Sequence, residues 1–176
     1  LKDESVEEVL DDAEVICTTN SSSGRDLFDN RLFDLVVIDE ATQATAPSCM
    51  VPMTSADRVV MAGDHRQLPP TVENQAAARD GLRISLFERM ADRWGEAIKT
   101  LLTTQYRMHR DIMQFSSNVF YEGRVEADES VRNHTLADLD LDVDFGAVRP
   151  ALEPALALDE PLVFVDTVAI DASEAT

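Results

Sequence analysis

Apolar side chains follow two rhythms along this chain. Short runs with β-branched residues occur at 13–19 (AEVICTT), 33–39 (FDLVVID), 57–64 (DRVVMAGD), 99–104 (KTLLTT) and 161–167 (PLVFVDT), and each predicts a strand. Leu86, Phe87, Met90, Ala91 and Trp94 recur at helical spacing and predict a helix over 84–94. Ile112, Phe115, Val119 and Phe120 do the same over 110–121. Strands alternating with helices, with the 33–39 run apolar throughout, predict an α/β domain whose mainly parallel sheet is covered on both faces. From about 126 to 160 the pattern loosens and acidic residues accumulate, as in an insertion or a loosely packed loop. Within it, DLDLDVD (138–144) alternates acid and apolar residues. It lacks the Gly and the bidentate Glu of a calcium loop, so it reads as a solvated strand or loop.

Ligands of parallel sheets bind beyond the carboxyl ends of the strands, and polar groups gather there. The 33–39 run delivers Asp39 and Glu40 to that edge. An Asp so placed can hold Mg²⁺, commonly through water, and a neighbouring Glu can join it or activate an attacking water. The same pair could simply cap a following helix. GDHRQLPP (63–70) follows the next strand and brings Asp64 and Gln67 to the same edge. The Gln67 amide suits a terminal phosphate or a water, or else satisfies turn backbone. TTQYRMH (103–109) offers Tyr106 as a flat ring for a base and Arg107 as a guanidinium fork for phosphate. A core tyrosine and a surface arginine would be the ordinary alternative.

Composition shifts the picture in one respect. Thirty-four Asp and Glu stand against 15 Lys and Arg, a net charge of −19, with a pI near 4.3. Lys2 and Lys99 are the only lysines. Such a chain repels nucleic acid at low ionic strength. It reads either as an acidic interaction module or as a protein adapted to molar salt, and scarce lysine with abundant Asp favours the second. Cys17 and Cys49 lack metal-site or disulfide-framework spacing. No apolar run is long enough to cross a membrane and no signal peptide opens the chain, so a soluble cytoplasmic protein without a membrane partner is expected.

Taken in order, VVIDEATQA, GDHRQLPP and LLTTQYRMH resemble motifs II, III and IV of the superfamily-1 helicases of the 5′-to-3′ class. PSCMVPM, SLFERMA and FVDT look most like the immunoglobulin-mu-binding-protein helicases, relatives of the nonsense-mediated-decay helicase. The resemblance implies a RecA-like parallel sheet flanked by helices and a motor that couples Mg-ATP hydrolysis to translocation on single-stranded DNA or RNA. It implies that Asp39, with Glu40, positions Mg²⁺, that Glu40 activates water and that Gln67 senses the γ-phosphate. Tyr106 would stack on the base and Arg107 would act as an arginine finger. VICTTNSSSG resembles a segment that touches the strand, which makes Thr18 and Thr19 weaker candidates for phosphate contacts. Arg110 stands where the family usually has Pro.

The loop G-x-x-x-x-G-K-[ST] occurs nowhere in the 176 residues. GEAIKT (95–100) has a Lys-Thr pair, but no Gly precedes Lys99 in it at the required spacing. The expected organisation is therefore the end of a first RecA-like lobe (1–102), then a hinge near Thr103 and the start of a second lobe (103–176, with the acidic insertion). The remaining lobes of the same chain would be its partners, and these residues alone would be inactive. A non-catalytic acidic interaction or nucleic-acid-binding module derived from a helicase is the alternative. A superfamily-2 DEAD-type protein shares DEAT, but TSAD (54–57) is a poor version of its next motif.

Overall fold

The computed structural model describes residues 2–139 and 157–164. They fall into two compact units, Leu1–Thr100 and Leu101–Thr176. In the first unit, helix α1 (Lys2–Asp12) precedes strand β1 (Val36–Ile38), helix α2 (Ala46–Met53) and strand β2 (Val59–Met61). A short α3 (Gln75–Ala77) then runs into a π-helical turn, Ala78–Leu82, and helix α4 (Leu86–Trp94) follows. The second unit holds β3 (Thr104–Gln105), α5 (Arg110–Phe120), β4 (Glu126–Ala127) and a 3₁₀ turn, Leu136–Asp138.

β1 and β2 pair in parallel with Val36 opposite Val59 and Ile38 opposite Met61. The crossover between them is α2, as a parallel connection requires. Ile38, Ala41 and Cys49 form the buried core, with Met53, Val59, Met61, Leu86 and Phe87 packed against it. Burial pushes the Cys49 thiol pKa up, and its Sγ lies 3.9 Å from the Ala41 carbonyl. α4 starts cleanly because Ser85, 1% exposed, caps it by accepting a hydrogen bond from Glu88 N at 3.1 Å. Gly95, at φ +54, ends it. Arg31 pairs with Glu7 and Asp11 and so fastens α1 to the loop before β1.

In the second unit β3 and β4 pair in parallel, Thr104 with Glu126 and Gln105 with Ala127. α5 crosses between them, and its Ser117 donates from Oγ to the Val125 carbonyl at 2.7 Å. Asp128 follows β4. Hydrogen bonds from the Ser130 backbone, and then from its hydroxyl, hold its carboxyl below the usual range.

Several sequence expectations need correction. Residues 13–19 are not a strand among the described residues: they run without regular structure and Val15 is 80% exposed. The 99–104 strand shrinks to Thr104 with Gln105, and Leu102 is exposed. Among the described residues β1 is covered on one face, since Ile38 is buried while Val37 is 63% exposed. The 126–160 segment opens with β4 and a capped 3₁₀ turn and is therefore partly built into the sheet. Of DLDLDVD only Asp138 and Leu139 are described, and residues 161–164 show no strand. The rest of both stretches lies outside the described residues. The helix over 110–121 forms as α5, yet Phe115 and Val119 on its apolar side stay exposed.

Candidate functional site

β1 ends at Ile38, and the chain turns at once. Ala62 N donates to the Ile38 carbonyl and Ala41 N to the Ala62 carbonyl, both at 2.9 Å, so the turn remains hydrogen-bonded to the end of β2. Between these bonds Glu40 sits at φ +50, a left-handed conformation that costs a non-glycine residue on the order of 1 kcal/mol. Ala41, fully buried, anchors the turn that imposes it. Asp39 Oδ1 accepts from Glu40 N at 2.9 Å. Gln43 Nε2 donates to Glu40 Oε2 at 2.9 Å. Both carboxylates are exposed at the carboxyl edge of the sheet, and one of them is held by a neutral amide.

The turn after β2 is stitched to this one. Thr42, 3% exposed, accepts a hydrogen bond at Oγ1 from Asp64 N at 3.2 Å. Gly63 permits that approach, because a Cβ there would stand 3.0–3.2 Å from Thr42 side-chain and backbone atoms. Asp64 then organises its own loop: Oδ1 accepts from Arg66 N and Oδ2 from Gln67 Nε2, both at 2.9 Å. The structure thus brings Asp39, Glu40, Asp64 and Gln67 together on two joined turns. His65 stacks on Phe87 of α4 with ring centroids 6.3 Å apart, tying the second turn to the core.

Tyr106 and Arg107 lie in the second unit, on the turn between β3 and α5. Tyr106 is 68% exposed. With Gln105, Arg107 and Met108 it lines an open depression of about 410 Å³. Gln105 Oε1 accepts from Arg107 N at 2.8 Å and from Met108 N at 3.0 Å, while its Nε2 donates to the Met108 carbonyl at 2.7 Å. His109 caps α5 by accepting from Asp111 N at 3.1 Å. Thr18 and Thr19 are exposed. The Thr19 hydroxyl is engaged with Ser22 at 3.0 Å, and no described hydrogen bond links either threonine to the Asp39 or Asp64 turns.

Sequence reasoning missed Thr42, Gln43 and Gln105. Their signal was proximity alone, a polar residue two or three positions from a candidate acid or one before a candidate aromatic. Their roles depend on contacts that spacing does not reveal.

Among the described residues no cluster of three or more His, Cys, Asp or Glu could hold a metal by itself. Two adjacent carboxylates on an exposed turn nevertheless fit Mg²⁺, which takes one or two carboxylates and completes its octahedron with water and substrate phosphate. A Ca²⁺ or Zn²⁺ cage would need more protein donors than this turn offers.

Comparison with known proteins fits this arrangement. A family model described as an AAA domain matches residues 1–75, and a second model of the same description matches 82–176. An uncharacterized ATP-dependent helicase of Methanocaldococcus jannaschii is 44% identical over 132 residues, 75% of this chain and 19% of that protein. The chain belongs to the AAA-domain family of superfamily-1 helicases. DNA-binding protein SMUBP-2 of Rattus norvegicus is 38% identical over 90% of this chain and 15% of its own length. A regulator of nonsense transcripts 1 homolog of Neurospora crassa is 39% identical over 76% of this chain and 12% of its own length. This helicase-family chain therefore spans 12–19% of these relatives. Among its described residues no helix is long and apolar enough to cross a membrane.

Proposed function

We propose that this chain is part of an ATP-dependent helicase that couples ATP hydrolysis to movement along single-stranded DNA or RNA. In this reading residues 1–102 end a first RecA-like lobe, and residues 103–176 supply the hinge and the start of a second. A division into compact units after Thr100 supports that boundary. The observation that carries the reading is the pair of turns joined by the Thr42–Asp64 hydrogen bond, which gathers two carboxylates and an amide at one sheet edge. The remaining lobes and the phosphate-cradling loop would come from a longer chain, consistent with the small share of each relative that is matched here.

Asp39, with Glu40 beside it, would hold the metal. When bound, Mg²⁺ neutralises phosphate charge that the protein carboxylates cannot. Glu40 accepts a proton from the attacking water, and the Gln43 amide keeps the carboxylate pointed for that task. Gln67 gives one N–H to Asp64 and has a second for the γ-phosphate or the water. Arg107 supplies a planar fork to phosphate oxygens, and Tyr106 offers its exposed face to the base. Thr18 and Thr19 are retained as strand-phosphate contacts of lower weight. The acidic, lysine-poor composition supports work at molar salt, and a cytoplasmic location is part of the same proposal.

The test is Glu40→Gln in a longer chain that carries these residues together with a phosphate-binding loop. ATP binding should persist while hydrolysis stops, because the amide keeps the shape but cannot take the proton. Hydrolysis at the wild-type rate would overturn the assignment.

A further inference from the structure

The turn that presents Tyr106 and Arg107 has an internal brace. Neither a helix nor a strand satisfies the backbone N–H groups of Arg107 and Met108. Both donate to one side-chain atom, Gln105 Oε1, at 2.8 and 3.0 Å. The same amide returns a hydrogen bond to the Met108 carbonyl at 2.7 Å. Gln105 is itself fixed at the backbone, since it pairs with Ala127 and its carbonyl accepts from Asp128 N at 2.9 Å. At the far end, His109 caps α5. The residues between are therefore held to the sheet through one glutamine side chain.

We infer that Gln105 is a positioning residue for Tyr106 and Arg107: its amide substitutes for a backbone partner and sets the direction in which the ring and the guanidinium leave the turn. The chemistry requires a primary amide with a three-bond reach. Its oxygen must accept two N–H groups and its nitrogen must donate to a carbonyl, which a carboxylate cannot do for want of a proton and which the short serine or threonine side chain lacks the reach to do. A carboxylate would face the Met108 carbonyl with no proton to offer. Alanine would leave two N–H groups to water and free the turn to sample other conformations. A displacement of the order of 1 Å in a positioned group can cost about 10²-fold in rate.

This inference rests on reading Arg107 as the cation that meets phosphate, and a double-mutant cycle separates the two. ATP turnover is measured with a single-stranded oligonucleotide, DNA and RNA in parallel, for a longer chain with a phosphate-binding loop. Wild type, Gln105→Ala, Arg107→Ala and the double variant are compared. Gln105→Ala should lower kcat by on the order of tenfold or more. In the Arg107→Ala background the same change should lower it by less than about twofold, the scatter expected of independent sites. Normal turnover in Arg107→Ala alone would overturn the reading of Arg107. A large loss in Arg107→Ala, with the Gln105→Ala factor undiminished on top of it, would overturn the positioning of Arg107 by Gln105. A purely structural glutamine would lower the melting temperature and the folded fraction but leave kcat per folded molecule unmoved. Amide hydrogen exchange on the wild-type 176-residue chain needs no variant. Arg107 and Met108 should be protected well beyond the rate of an unstructured peptide, and exchange at that free rate would overturn the brace.

Discussion

Gly63 is the tightest point of the candidate site. An alanine there would bring its Cβ to 3.0 Å from Thr42 Cγ2, 3.1 Å from Thr42 N and 3.2 Å from Oγ1. Thr42 is buried and cannot rotate away, and its backbone nitrogen cannot move without displacing the turn that carries Glu40. Overpacking of this kind costs about 1–3 kcal/mol. Gly63→Ala should therefore unfold at a lower urea concentration than wild type, and an unchanged midpoint would show that the two turns are less closely joined. At this scale the sequence is informative about end groups and silent about couplings. Asp39 and Glu40 follow an apolar run directly and Gln67 comes a few positions after the next, so their place at a sheet edge can be read from order. Tyr106 and Arg107 instead follow the polar pair Thr104–Gln105 that forms β3. Thr42 meets Asp64 across 22 positions of chain, and no local pattern announces that contact.

The predicted helices form more fully than the predicted strands, for a physical reason. A helix satisfies its own hydrogen bonds, so spacing and caps suffice to locate it, as with α4 and α5. A strand exists only by pairing, and residues 13–19 and 99–102 form no strand among the described residues, while the Thr103 carbonyl accepts from Glu126 N of β4 at 2.7 Å. Helix α2 escaped notice because Pro47 and Pro52 fall inside it. Pro47 occupies the first turn, where its missing N–H costs nothing, and Pro52 lies in the last. α4 deserves a direct test, since Leu86 and Phe87 reach the core from its first turn. Ser85→Ala removes its cap at a buried position and should cost about 1 kcal/mol. A loss of that size in chemical denaturation is expected, and Ser85→Thr, which keeps a neutral hydroxyl at this buried cap, should recover part of it. No loss in Ser85→Ala would mean that α4 is fixed by packing alone.

For the whole molecule the governing quantity is charge. Thirty-four acids against 15 bases repel one another at low ionic strength, and at 1 M salt the screening length falls to about 3 Å. The thermal midpoint should rise between dilute buffer and molar KCl, and a higher midpoint at low salt would remove the proposed salt adaptation. The same scale decides activity. The 176 residues carry both the paired carboxylates and the exposed arginine, yet no G-x-x-x-x-G-K-[ST] loop to seat the β- and γ-phosphates. The most direct measurement is ATP turnover by this chain and by a longer chain that includes such a loop, each with and without Glu40→Gln. No turnover is expected from the 176 residues, and turnover abolished by Glu40→Gln is expected from the longer chain. Robust turnover from the 176 residues alone, or a longer chain indifferent to Glu40→Gln, would contradict the division of labour proposed here.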